Sequence, residues 1–291
     1  RSSYLKKINF SSDQSKSARN NMGCSNIAHA FASCDKAQQN QGANGGTVIG
    51  VVTAYNDMLS AHAPLKDYPD VIKASSEKRN AIARVAGGVP AMCDGITQGE
   101  PGMELSLFSR DVIALSTAVA FSHNVFDAGV CLGVCDKIVP GLVIGALTFG
   151  HLPMAMLPAG PMPTGISNSK KSANRKKFAS GEIDRSALIS SEQAAYHTSG
   201  TCTFYGTANT NQLIMEVMGL QLPSSSFYQP KTQERQLLID KTVECVLNLK
   251  DKGIKMGEML DSKSWVNAIV ALIASGGSTN LAIRSEEHTS E

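Results

Sequence analysis

The stretch AGVCLGVCDKIVPGLVIGALTFG, residues 128–150, carries the architecture of the chain. Its first seven residues, AGVCLGV (128–134), are a short apolar run that reads as a buried strand. Pro140 follows where a helix can begin, since a first helical turn tolerates proline, and GLVIGALTFG continues it. A strand feeding straight into a helix is half of a strand–helix–strand unit. Two further stretches read as strands: TVIGVVTAY (47–55), bounded by glycines, and LPMAMLPAG (152–160). PLKDYPDVIKASSEKRNAIARVA (64–86) is predicted helical after its second proline, and ELSLFSRDVIALSTAVAFSH (104–123) has helical apolar spacing. This alternation predicts an α/β fold, a mostly parallel sheet flanked by helices.

Beyond this core, residues 1–46 are polar and predict a helix or two ending in a loop, QNQGANGG. Residues 47–283 read as one α/β domain, with an exposed excursion at SNSKKSANRKKFASGEIDRSAL (167–188). GTCTFYGTANTNQLIMEVMGL (200–220) reads as a loop feeding a helix, 232–260 as an amphipathic helix, and VNAIVALIASGGSTN (266–280) as a buried helix stopped by Gly276–Gly277. RSEEHTSE (284–291) loses apolar periodicity and reads as an unrelated or disordered tail.

With 291 residues, 42% of them hydrophobic and 18% charged, the chain can bury a substantial core. Its net charge of +2 is dispersed, unlike the clustered basic stripe of a nucleic-acid surface. Lys170–Lys171 and Arg175–Lys177 read as a solvated face. No apolar run approaches the ~18 residues that cross a bilayer, so no membrane partner is expected. Seven cysteines, an odd number, fit thiols kept free in a reducing compartment, and the cytoplasm is the expectation. Neither a phosphate-binding G-x-x-x-x-G-K-[ST] loop nor a G-x-G-x-x-G after a strand is present, which weighs against a nucleotide-dependent activity.

GGVPAMCDGITQGEPGM (87–103) is too rich in Gly and Pro for a regular element and predicts a long, functional loop. Cys135, Asp136 and Lys137 stand together at the carboxyl end of the strand, where open α/β sheets place their ligand crevices. Cys202 lies among glycine and hydroxyl residues before a helix. Two loop thiols distant in sequence suit an iron–sulfur cluster better than a local zinc ribbon. Cys131, four residues before Cys135, reads as core. Asp94 and Asp136 are of the type that holds Mg2+; the alternative is that each caps a turn or helix. His62 and His123 are possible acid–base groups or structural residues. Thr207, Asn209, Ser278 and Thr279 offer hydroxyls and amides suited to sugar or phosphate oxygens.

YNDMLSAH, AGGVPAMCDGITQG, GMELSLFSRDVIA, GVCDKIVPGL, GTCTFYGTANTNQ and ASGGSTN together resemble the dihydroxy-acid and sugar-acid dehydratase family over roughly residues 20–283. The wording of AMCDGITQG and TCTFYGTANTN is similar to its 6-phosphogluconate branch, in the Entner–Doudoroff pathway of gluconate metabolism. The resemblance implies a hydro-lyase forming a 2-keto-3-deoxy acid. It implies that Cys135 and Cys202 bind an iron–sulfur cluster, [4Fe–4S] rather than [2Fe–2S]. It further implies that Asp94, Asp136 and a carbamylated Lys137 bind Mg2+. Relatives with a PCNxH-type segment take a third thiolate there; Ala61 and His62 stand in that place here, leaving Cys93 or Cys24 as the third ligand. His62, Thr207, Asn209, Ser278 and Thr279 are the expected substrate contacts. The family's catalytic serine base lies in a C-terminal domain whose motif is not found here, so the chain is expected to be an N-terminal domain without full activity, from a homodimeric enzyme. The competing expectations are a non-catalytic folded fragment and a thiol-redox or zinc-binding protein.

Overall fold

A computed structural model describes residues 1–19, 21–202 and 205–281 of the chain. The expected tail at 284–291, and Thr203 and Phe204 within TCTFYG, lie outside the described residues. The polar leader forms α1 (Ser2–Ala18), α2 (Cys24–Phe31) and α3 (Lys36–Ala43). β1 (Thr47–Thr53) is followed by α4 (Tyr68–Glu77), β2 (Ala81–Gly88), α5 (Asp94–Thr97), α6 (Phe108–Phe121) and β3 (Ala128–Leu132). Then come α7 (Ile138–Thr148), β4 (Met154–Leu157), α8 (Asn168–Ala179), α9 (Arg185–Ala195) and α10 (Thr207–Val217). The described chain closes with α11 (Gln233–Asp251), α12 (Met256–Met259), α13 (Ser262–Ala274) and a helical turn at 279–281.

The four strands pair in parallel in the order β2-β1-β3-β4. Alternate side chains serve opposite layers, as strand geometry requires. Val52, Cys131, Met154 and Met156 pack with Ile113, Phe121 and Leu142 of α6 and α7. Val51, Val130, Leu132 and Leu157 pack with Ile72 of α4 and with Leu238, Ile239 and Val243 of α11. Both faces are thus covered, the usual condition of an all-parallel sheet.

From β1 the chain moves outward to β2, then returns to place β3 on the other side of β1. The connections leaving β1 and β3 therefore diverge, and a crevice opens between their carboxyl ends. The segments 54–62 and 133–137 leave the sheet at this switch point.

The structure corrects several sequence expectations. The helix expected to run through residue 86 stops at Glu77, and AIARVAGG becomes β2, paired from Thr47↔Ala81 to Thr53↔Gly88. Asn80 adopts φ +54°, a left-handed conformation that ends helices, and the open edge of β1 then captures the alanine-rich segment. Gly87 and Gly88 accordingly belong to a strand, and the functional loop is punctuated by α5 and a 3₁₀ turn at Pro101–Leu105. The helix expected over 232–260 ends at Asp251, with Gly253 at φ +67°, before α12.

The helix expected to be buried, α13, lays one side on α10 and leaves Val266, Ile269, Val270 and Ile273 more than half exposed. The basic cluster of α8 is an exposed face: Arg175 and Lys171 both pair with Glu192 of α9. Among the described residues no helix is long and apolar enough to cross a membrane.

Candidate metal centre

β3 ends at Leu132, and the next residues turn sharply into α7. Cys135 takes φ +86°, a conformation that costs a non-glycine residue on the order of 1–3 kcal/mol and is held by its surroundings. The turn swings Asp136 and Lys137 inward, where they are 2% and 0% exposed.

Lys137 Nζ meets both Oδ atoms of Asp136, at 3.0 and 3.1 Å, and pairs closely with Asp94 Oδ2. Asp94 is the first residue of α5, and its other oxygen accepts a hydrogen bond from Ser106 Oγ at 2.8 Å. Neither aspartate acts as a helix cap: Cys93 and Lys137 are the N-cap residues, without side-chain caps. Two carboxylates from distant loops thus converge on one buried cationic nitrogen. Glu100 and Glu104 remain on the exposed side of the loop.

The turn is braced from beneath by His62. Its Nε2 lies 3.1 Å from the carbonyl oxygen of Val134, and its Nδ1 is buried without a partner. Burial holds the imidazole pKa down at about 4, so at neutral pH the ring is uncharged, with its Nε2 facing both the Val134 carbonyl at 3.1 Å and the Val134 N–H at 3.4 Å. The structure therefore places His62 beneath Val134, 1% exposed, rather than on an open wall. His123 bonds the carbonyl of Ala120 within its own turn, and Cys131 is fully buried core.

Cys202 is delivered by a second set of bonds. Gly200 N donates to Ser60 O at 2.7 Å, and Thr201 forms a parallel bridge with Pro161, bonded to Gly160 O and Met162 N. Gly200, at φ +137°, comes so close to Met162 that an added Cβ would stand 2.5 Å from its nitrogen. Three successive carbonyls of this strand-end loop are taken: Pro158 by Arg235, Ala159 by the Tyr68 hydroxyl, and Gly160 by Thr201 N. Sequence reasoning missed Arg235. It is 0% exposed and bonds the carbonyls of Pro158, Ser225 and Tyr228, with Nε unpartnered. A cation within an otherwise ordinary amphipathic helix gave no signal. Tyr68 and Ser106 were missed too, because the partners they bond, the Ala159 carbonyl and Asp94, are distant in sequence.

Asn209 Nδ2 donates to the Cys202 carbonyl, and its Oδ1 accepts from Thr201 Oγ1. Thr207 Oγ1 lies 2.9 Å from Ser278 Oγ. Three of the four expected sugar or phosphate contacts therefore cluster at the start of α10. Thr279 is exposed on the following turn.

Burial raises the pKa of the Cys135 thiol, reinforced by the neighbouring Asp136 and by Cys93; burial and then Cys93 raise that of Cys202. Bare thiolates are disfavoured here, and iron is the kind of partner that stabilises them. Among the described residues no three His, Cys, Asp or Glu side chains form a cage for a single metal ion.

The sequence pattern of the dihydroxy-acid/6-phosphogluconate dehydratase N-terminal region matches residues 47–285. The chain belongs to this family. Among curated members, it is 52% identical over 266 residues to a phosphogluconate dehydratase of Pseudomonas aeruginosa, covering 90% of this chain and 44% of the relative. It is 51% identical over 289 residues to the phosphogluconate dehydratase of Escherichia coli K12, covering 96% and 47%. A dihydroxy-acid dehydratase of Aquifex aeolicus is 31% identical over 239 residues, covering 80% and 43%. The chain thus spans a little under half the length of these dehydratases.

Proposed function

We propose that the chain provides the metal-binding part of a hydro-lyase that converts 6-phosphogluconate to 2-dehydro-3-deoxy-6-phosphogluconate. The observation that carries this reading is the meeting of Asp94 and Asp136 at the buried Lys137 nitrogen, two residues from Cys135. The higher identity to phosphogluconate dehydratases than to a dihydroxy-acid dehydratase supports the choice of substrate.

Cys135 and Cys202 would hold an iron–sulfur cluster, [4Fe–4S] in this reading, and Asp94 and Asp136 would hold Mg2+. When bound, the two metal centres supply Lewis acidity at the departing hydroxyl and charge stabilisation at the carboxylate end of the substrate. Lys137 is the residue whose state must change. As an ammonium it fills the space between the two carboxylates and repels a dication. As a neutral amine it adds carbon dioxide, losing one proton and becoming a carbamate, and so turns from competitor into oxygen ligand.

The remaining residues position. His62 holds the Val134 carbonyl and so the strained Cys135 turn. Ser106 fixes the rotamer of Asp94. Asn209 ties the Cys202 carbonyl to Thr201, leaving the Thr207 and Ser278 hydroxyls at the helix start to meet substrate oxygens. The substrate's C2 proton is taken by a base outside this group of residues.

The test is anaerobic reconstitution of the chain with ferrous iron and sulfide. Bound iron and sulfide with visible charge-transfer absorbance are expected, lost by on the order of 10-fold or more in Cys135→Ser and Cys202→Ser. Mg2+ binding should require bicarbonate and disappear in Lys137→Met. An iron-free wild-type chain, or iron indifferent to both cysteine substitutions, overturns the reading.

A further inference from the structure

We infer that Cys93 is the third thiolate of the cluster site and that Cys24 has no part in it. This deepens the reading above and rests on it. The placement of Cys93 follows from its neighbours. Asp94, next in sequence, is clamped between Lys137 and Ser106, so Cys93 is anchored one residue from a contact that itself lies two residues from Cys135.

Cys202 is drawn toward the same point through the segment 59–62. Ser60 accepts from Gly200 N, and His62 bonds the Val134 carbonyl, one residue before Cys135. The loops that follow β2 and β3 and the segment between α9 and α10 are thus tied to one another, each with one half-buried cysteine. The Cys93 sulfur is directed back over its own short helix, 3.5 Å from where a Cβ on Gly95 would stand.

Cys24 sits elsewhere. It is exposed at the first residue of α2, whose Phe31 packs on Val48 and Ile82 near the amino ends of β1 and β2. Cys24 stands seven residues from Phe31, at the opposite end of this helix, and its neighbours Met22 and Ser25 line a surface groove with Arg84 and Val85 of β2, not with the 133–137 turn.

The chemistry gives the assignment a consequence. Each of the three thiols loses one proton on binding iron. A four-iron cube held by three protein sulfurs keeps one iron without a protein ligand, free to take a substrate oxygen. A fourth thiolate would close that position, and with only two thiolates a second iron would lack a protein anchor.

The experiment compares the wild-type chain with Cys93→Ser, Cys24→Ser and Cys135→Ser after anaerobic reconstitution. Iron, acid-labile sulfide and the paramagnetic resonance of the reduced protein are read, and thermal melting of the metal-free proteins checks the fold. Wild type and Cys24→Ser are expected to hold about four irons per chain, and Cys93→Ser to fall by on the order of 10-fold with its metal-free melting unchanged. Cys93→Ser retaining the wild-type cluster while Cys135→Ser loses it overturns the assignment and leaves the cluster reading standing. A wild-type chain that takes up no iron overturns both. Loss of the cluster in Cys24→Ser with Cys93→Ser intact would move the third ligand to Cys24.

Discussion

His62 shows how a residue that looks catalytic in sequence can work by staying neutral. Its ring is sealed beneath the Val134–Cys135 turn and holds one carbonyl, with a folded-state pKa of about 4 against an ordinary 6.5. The unfolded chain therefore takes up a proton at a higher pH than the folded one. Stability is complete above about pH 6.5 and declines as pH falls toward 4. Between about pH 7 and about pH 5 this single group should remove about 2 kcal/mol. Urea midpoints at the two pH values measure it, and His62→Gln should show a flatter pH dependence. An unchanged slope in His62→Gln would mean that the ring is protonated in the fold. Sequence gave the histidine but not its role, because one residue beside an apolar turn carries no sign of depth. Cys135, Asp136 and Lys137 were legible because three incompatible side chains in a row, at a strand end, have no ordinary structural explanation. The aspartate facing them, Asp94, was legible only as part of a glycine-rich loop, and its partner Ser106 was invisible because twelve residues separate them.

The βα unit of residues 128–150 forms with shifted ends: the strand expected over 128–134 stops at Leu132, and the helix expected from Pro140 already begins at Ile138. What the apolar run could not reveal is why α7 carries glycines. Gly141 and Gly145 face α6, and a Cβ on Gly145 would stand 2.5 Å from Thr117 Cβ and 2.6 Å from the backbone oxygen of Ala114. In an isolated helix Gly→Ala gains about 1 kcal/mol. Here the obstacle is backbone and cannot turn aside, so overpacking of about 1–3 kcal/mol should win. Gly145→Ala is expected to lower the denaturant midpoint, with no change in slope; a raised midpoint would show that α6 can retreat. The opposite lesson comes from β2. AIARVAGG has the composition of a helix, and only Asn80 in a left-handed conformation and the waiting edge of β1 make it a strand. Pairing across the sheet is not written in any local window.

For the molecule as a whole, the sheet, its order and its two covering layers bring the candidate site to the β1/β3 switch point, and the family match spans that entire unit. The molecule also presents apolar surface away from the crevice. Val266, Ile269, Val270 and Ile273 of α13 are 54–74% exposed, and Leu115 and Val119 of α6 are 68% and 65% exposed. A helical pattern with apolar residues on every side reads as buried, which is why α13 was expected inside; the sequence records how apolar the helix is, not which sides have partners. Exposed side chains of this size contribute little to folding but favour contact between molecules. Ile269→Lys with Ile273→Lys should leave the unfolding free energy within about 0.5 kcal/mol, since neither side chain is packed. The same pair should reduce concentration-dependent association of the chain, measured by light scattering on a sizing column. If the double variant instead melts early, α13 is packed more tightly than its exposure implies. If it associates as strongly as wild type, the association runs through another surface, and the α6 face with Leu115 and Val119 is the next to test.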